Sequence, residues 1–153
     1  VQLESPEGVS LSAETLDQFE LVRAVLIDLG IAGDSAEHQD AAEGIVGTPG
    51  YLAPAIATGV GPISPALDVF ALAVVAYEAF TGENPYMGSG EDELHAVLVR
   101  HGTLRLPIET LSPSVCPPAA RALLQRAAAQ EPSQRPTMKD FAVEWQRCLH
   151  RDH

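Results

Sequence analysis

The sequence has no apolar run approaching the ~20 residues that a membrane-spanning helix needs, and it is poor in positive charge, with 9 Lys and Arg against 21 Asp and Glu. The first absence excludes a helical membrane span within this segment. The second leaves a net charge of -12, which repels phosphate backbones and anionic lipid, so neither nucleic acid nor a membrane is an expected partner. Cysteine is almost absent: Cys116 and Cys148 stand alone, with no Cys-x-x-Cys pair and no Cys/His cluster. That pattern points to neither a zinc site nor a disulfide framework and fits a reducing cytoplasm. The chain opens on Val1 without Met and without the basic and apolar regions of a signal peptide, so its numbering is expected to start inside a longer protein.

What is present is ordinary for a water-soluble globular unit. The 153 residues are 46% apolar and 20% charged, enough for one domain with its own core. Val1–Leu3 and Leu21–Ile27 are apolar, partly β-branched runs that read as two strands joined by a long polar loop. From Asp28 to Pro54 the chain is rich in Gly, Ala, Ser and acids and follows neither a helical nor a strand period, which reads as a long loop, and long loops inside compact domains are commonly functional. Ser64-Pro65 then opens the strongest helix, which stops at Thr81-Gly82. Between Ala66 and Phe80 only Asp68 and Glu78 are charged, so this helix is expected to be buried on most sides and to form the axis of the core. Further helices are predicted from Glu91 to His101, from Pro118 to about Ala129, and from Thr137, where Thr137 and Asp140 resemble a capping box. In the last of these, Met138, Phe141, Trp145, Cys148 and Leu149 share one face.

Asp28-Leu29-Gly30 follows an apolar strand, GTPGYLAP spans Gly47–Pro54, Asp68 sits near the start of the axial helix, and TGENPY (Thr81–Tyr86) and EPSQRPT (Glu131–Thr137) come after it. A bare Asp-x-Gly is ordinary turn chemistry and Gly-Thr-Pro-Gly an ordinary loop; the order is what informs. In that order, from Leu21 to Leu149, the chain resembles the eukaryotic-like serine/threonine protein kinase domain, in the portion that starts just after the catalytic loop. The resemblance implies an α+β, mainly α fold, the kinase C-lobe, with a small β-hairpin and a helical bundle around one buried central helix and with no N-lobe. It divides the chain into a hairpin with an enlarged loop (1–27), an activation segment (28–55) and a helical subdomain (56–153).

The same resemblance assigns roles. Asp28 matches the carboxylate that holds magnesium, and Gly30 the glycine that lets the chain swing at the base of the nucleotide site. ATP and Mg2+ are the implied cofactors of a complete domain, with no tight binding expected by this segment alone. Thr48 matches the hydroxyl that bonds to the catalytic Asp and helps select a Ser or Thr substrate; capping of the turn is the other use open to it. Asp68 matches a buried carboxylate that accepts backbone N–H groups of the catalytic loop, while Pro54 shapes the loop. Ser35 and Thr48 are the only Ser or Thr from Asp28 to Pro54 and hence the candidate phosphosites. Asp34, Glu37, Asp40 and Glu43 stand beside them, either as mimics of phosphate or simply to keep the loop solvated. His150-Arg151-Asp152 spells the catalytic-loop triplet, but it continues the helix capped at Thr137 and is read as coincidence.

Two readings of function follow. One is part of a kinase that transfers phosphate from ATP to Ser or Thr of a protein substrate, inactive as an isolated chain because the glycine-rich loop, the strand lysine and the catalytic Asp and Asn are absent from it. The other is a pseudokinase or scaffold whose helical lobe holds a protein partner. Dimerisation through the hairpin face that an N-lobe would cover is a further expectation. One departure from the pattern has an energetic consequence: Ala55 stands where relatives carry the Glu that pairs with the Arg of the Arg-Pro pair, here Arg135. Loss of one partner of a buried ion pair costs ~3–5 kcal/mol, so Arg135 is expected to be exposed or to have found Glu131 or backbone carbonyls instead. Restoring the acid with Ala55→Glu is expected to raise the melting temperature if its pocket persists, and an unchanged calorimetric transition would show that it does not.

Overall fold

The computed structural model describes residues 48–59, 63–87 and 94–149, all of them in the second of the chain's two units, Ser35–His153. Among the described residues there are five α-helices and no strand. The helices are α1 Pro54–Ala57, α2 Ala66–Thr81, α3 Leu94–Thr103, α4 Pro118–Ala127 and α5 Met138–Leu149, with single 3-10 turns at Pro49–Tyr51, Ile108–Thr110 and Pro132–Gln134. The mainly helical architecture is that expected of the lobe named above. The strands expected at Val1–Leu3 and Leu21–Ile27, their loop, the face on which dimerisation is expected, and residues 28–47 of the activation segment lie outside the described residues.

Helix α2 begins and ends within a residue of the sequence expectation. At its end Gly82 takes a φ of 76°, open to glycine at no steric cost, and its N–H donates to Glu78 O at 2.7 Å. At its start the cap differs from expectation: Pro65 occupies the N-cap, and no side chain, Ser64 included, caps the first turn. Pro65 presets a helix-compatible φ of -56°, and the Ser64 carbonyl takes the Leu67 N–H at 3.0 Å. Val69, Phe70, Ala73, Val74 and Tyr77 form its buried face. Most of the helix is buried or half-buried, as expected, and Asp68, Val75 and Ala79 are its exposed positions before Thr81. Helices α4 and α5 and the 3-10 turns at Pro49–Tyr51 and Pro132–Gln134 pack against α2.

The other helices shift at their edges. Helix α3 runs past His101 to Thr103, which puts Gly102 inside it rather than after it, and α4 stops at Ala127. Thr137 caps α5 as expected, accepting the Asp140 N–H at 3.1 Å, but the reciprocal arm differs from a capping box: its hydroxyl donates to Asp140 Oδ2 at 2.7 Å. On α5, Phe141 and Cys148 are buried and Trp145 is half-buried, stacked on Phe141 with ring centroids 5.7 Å apart. Met138 is 40% exposed although it shares their face; the Leu149 side chain lies outside the described residues. The Arg126–Glu144 ion pair between α4 and α5 is exposed and adds little.

Arg135 is only 7% exposed. Its Nε donates to Ala129 O at 2.8 Å, Nη1 to Ala66 O at 2.8 Å and Nη2 to Gln130 O at 3.0 Å. The guanidinium carbon stands 5.0 Å from the centroid of the Phe70 ring, within cation–π range. Burial lowers the Arg135 pKa from its ordinary value, and the nearby Glu131 charge opposes that shift. Of the two alternatives open from the sequence, backbone carbonyls take the hydrogen bonds. They join the end of α4, the segment before α5 and the first turn of α2. Arg135→Ala would leave three carbonyls without their donor and is expected to cost about 3 kcal/mol. Arg135→Lys, whose single ammonium cannot span the fork, falls between; urea denaturation of both variants checks the order.

Candidate functional site

Thr48, Pro49, Gly50 and Tyr51 form one tight unit. Pro49 opens the 3-10 turn, the Tyr51 N–H donates to Thr48 O at 3.0 Å and the Leu52 N–H to Pro49 O at 3.4 Å. The Thr48 side chain is exposed and makes no capping bond to the turn, so its hydroxyl is left open to solvent. Leu52, Ala53 and Pro54 are buried, and Pro54 begins α1, where its carbonyl accepts both the N–H and the Oγ1–H of Thr58 at 2.9 Å.

Two side chains bond this turn to the helical body. The Tyr51 hydroxyl donates to Glu78 Oε2 on α2 at 2.7 Å. That bond to the carboxylate is the main reason the Tyr51 pKa rises, with burial second. Asn84 Nδ2 donates to Gly50 O at 3.1 Å, while Asn84 Oδ1 accepts the Tyr86 N–H at 3.0 Å. Gly50 is buried, and a Cβ there would come 2.6 Å from Met87 Cγ and 3.1 Å from Asn84 Nδ2, so any larger residue would have to displace the Met87 and Asn84 side chains. From α3, Arg100 Nη1 donates to Tyr86 O at 3.1 Å.

Behind the turn lies a stack of rings. His101 is fully buried and stacks on Tyr86 with centroids 3.9 Å apart and planes 15° from parallel, and Phe70 touches both, at 6.3 and 6.2 Å. Neither His101 nitrogen nor the Tyr86 hydroxyl has a hydrogen-bond partner. The Pro49 and Gly50 carbonyls are near enough to favour a protonated ring, yet burial dominates and holds the His101 pKa down to about 4. Burial also pushes Tyr86 up to about 12. Arg135, on Phe70, belongs to the same column.

The residues singled out from the sequence separate in space. Thr48 and Pro54 frame the turn; Arg135 anchors the core below it. Asp68 is exposed in the first turn of α2 rather than buried, where its charge complements the positive end of the helix. Asp28, Gly30 and Ser35 lie outside the described residues. No cluster of three or more His, Cys, Asp or Glu able to hold a metal occurs among the described residues. A cleft of about 390 Å³ beside Arg105, Glu109, Gln125 and Ala129 contains none of the candidate residues. Glu78, Asn84 and His101 were not legible as parts of the site. Asn84 falls inside the TGENPY fragment and Glu78 is one of two charges on an apolar helix, but only the fold shows what they meet.

A helical body around one apolar axis, carrying a Thr-Pro-Gly-Tyr turn pinned to that axis, is consistent with the C-lobe of a protein kinase domain. The model of the protein kinase domain matches residues 17–145, and the chain belongs to that family. It is similar to serine/threonine protein kinase ypkA of Aspergillus fumigatus, 27% identical over 84% of this chain and 21% of that protein. It is also similar to PkaB of Streptomyces coelicolor, 43% identical over 52% of the chain and 18% of that protein. Pkn1 of Myxococcus xanthus is 40% identical over 72% of the chain and 16% of that protein. The chain thus spans about a fifth of the length of these curated relatives.

A histidine whose pKa is about 4 when folded and about 6.5 when unfolded must be neutral in the native state. Its contribution is whole above pH ~6.5 and is lost as the pH falls towards 4, by about 2–3 kcal/mol. His101→Phe is expected to flatten the stability profile in that window, as read by denaturant titrations at each pH.

Proposed function

We propose that this chain is the substrate-side portion of the catalytic domain of a serine/threonine protein kinase, which transfers a phosphoryl group from ATP to Ser or Thr of a protein substrate. The observation that carries the reading is the exposed Thr48 hydroxyl, unspent on capping, on a turn held from two sides by Glu78 and Asn84. Phosphoryl transfer asks a protein mainly to position groups and stabilise charge, and a rigid turn with an open hydroxyl is suited to aligning a substrate peptide. In the complete domain Asp28 would ligate Mg2+ and Gly30 would give the neighbouring backbone its freedom, with bound ATP supplying the phosphoryl group. Asp68, exposed at the start of α2, keeps its carboxylate available for the N–H groups of a catalytic loop. Pro54 and Arg135 are structural anchors, and Ser35 and Thr48 the candidate phosphosites.

The alternative, a pseudokinase lobe that binds a protein partner without catalysis, drew its support from the missing acid at Ala55. That support weakens, because each nitrogen of Arg135 already donates to a carbonyl. No helix among the described residues is long and apolar enough to cross a membrane, and the reading places the domain in the cytoplasm.

The 153-residue chain mixed with ATP and magnesium is expected to show no thermal shift, since one carboxylate without a nucleotide pocket binds neither tightly. A longer protein that contains it is expected to phosphorylate Ser or Thr, with Asp28→Asn lowering the rate at least about a hundredfold. A clear shift in the first assay would overturn the inactivity of the isolated chain. Absence of transfer in the second would favour the scaffold.

A further inference from the structure

We infer that Asn84 is a positioning residue for substrate: its amide, by joining Gly50 to the turn that follows α2, sets where Thr48 and Tyr51 are presented. The inference rests on the kinase reading and deepens it. Asn84 is half-buried, and both ends of its amide are used. Its oxygen accepts the Tyr86 N–H two residues on, an Asx turn that fixes the side chain locally. Its nitrogen donates to Gly50 O across a gap of 34 positions in the chain, and the amide also interacts with the Tyr51 hydroxyl, where it opposes the rise in that group's pKa.

The geometry on the other side is equally specific. The turn's internal bonds use the Thr48 and Pro49 carbonyls, and Gly50 O is the carbonyl to which the Asn84 side chain donates. Gly50 has no room for a Cβ because Asn84 and Met87 lie against it. Consecutive residues are therefore tethered, Gly50 to Asn84 and Tyr51 to Glu78, with the Asn84 amide also beside the Tyr51 hydroxyl. Glu78 alone would leave Tyr51 free to pivot about its hydroxyl. The second tether removes that pivot, and Thr48, two residues before Gly50 in the same 3-10 unit, moves with it.

The role is tested in the full-length protein with Asn84→Asp and Asn84→Ser. Asn84→Asp retains an oxygen for the Tyr86 N–H and removes the donor to Gly50, while Asn84→Ser retains an oxygen on a side chain too short to reach Gly50 O as well. With a synthetic serine-containing peptide as substrate, KM for the peptide is expected to rise about tenfold, while kcat, KM for ATP and Tm stay close to the parent. Amide exchange at Gly50–Leu52 is expected to speed up by a similar factor. An unchanged peptide KM overturns the inference, whether or not exchange accelerates. So does a loss spread equally over kcat and both KM values, or failure of both variants to fold, since either makes Asn84 a structural residue only. If the parent protein transfers no phosphate, the kinase reading fails, and unchanged exchange in the variants would then overturn the tether by itself.

Discussion

A guanidinium taken out of water has to replace its hydration with acceptors placed to match its fork, and in this lobe those acceptors are main-chain carbonyls. Arg135 reaches Ala129, Gln130 and Ala66, so one side chain ties the end of α4 and the approach to α5 to the first turn of the axial helix. Its flat face rests on Phe70, which is fully buried and touches Tyr86 and His101 in turn. The positions of the ring stack, and of the Pro49–Tyr51 turn in front of it, follow from this arrangement. Because the charge is compensated by carbonyl dipoles rather than by a carboxylate, the arrangement needs all three acceptors at once. It is therefore sensitive to the relative placement of α2, α4 and α5.

The site is built on top of that constraint in two layers. The lower layer is apolar and nearly devoid of internal polar partners: the His101 nitrogens and the Tyr86 hydroxyl are buried without any, which makes the stack a low-dielectric floor. The upper layer is polar and tethered, with Glu78 and Asn84 each holding one residue of the Thr48–Tyr51 turn. A floor that excludes water strengthens the hydrogen bonds resting on it. It also explains how a short turn with few internal bonds keeps one shape. The exposed Thr48 side chain is the part of this unit that no capping bond occupies.

Legibility from sequence followed the range of the interactions. Helix α2 could be bounded from Pro65 and Gly82 because a fixed φ and a left-handed end are local properties. Thr137 could be named as a cap because its bond spans only three residues. The family and its helical lobe could be read from the order of GTPGYLAP, Asp68 and EPSQRPT, and the match over residues 17–145 establishes the family. Burial was less legible. The charge-poor stretch from Ala66 to Phe80 is mostly buried or half-buried as it reads, but the sequence does not mark Val75 and Ala79 as its exposed positions, since apolar composition states what a face tolerates and not what covers it. Met138 has the helical spacing of a core residue and is exposed for the same reason.

By itself, then, the sequence determined the helical elements, the family and the identity of the turn that bears Thr48, all of which depend on neighbours close along the chain or on the order of motifs. Only the tertiary structure decided what satisfies Arg135, which residues hold Gly50 and Tyr51, and that His101 is buried beneath them. Those contacts join residues that are far apart in the chain, such as Ala66 with Arg135 and Gly50 with Asn84. Composition and periodicity carry no information about such pairs, because their geometry exists only once the helices have packed.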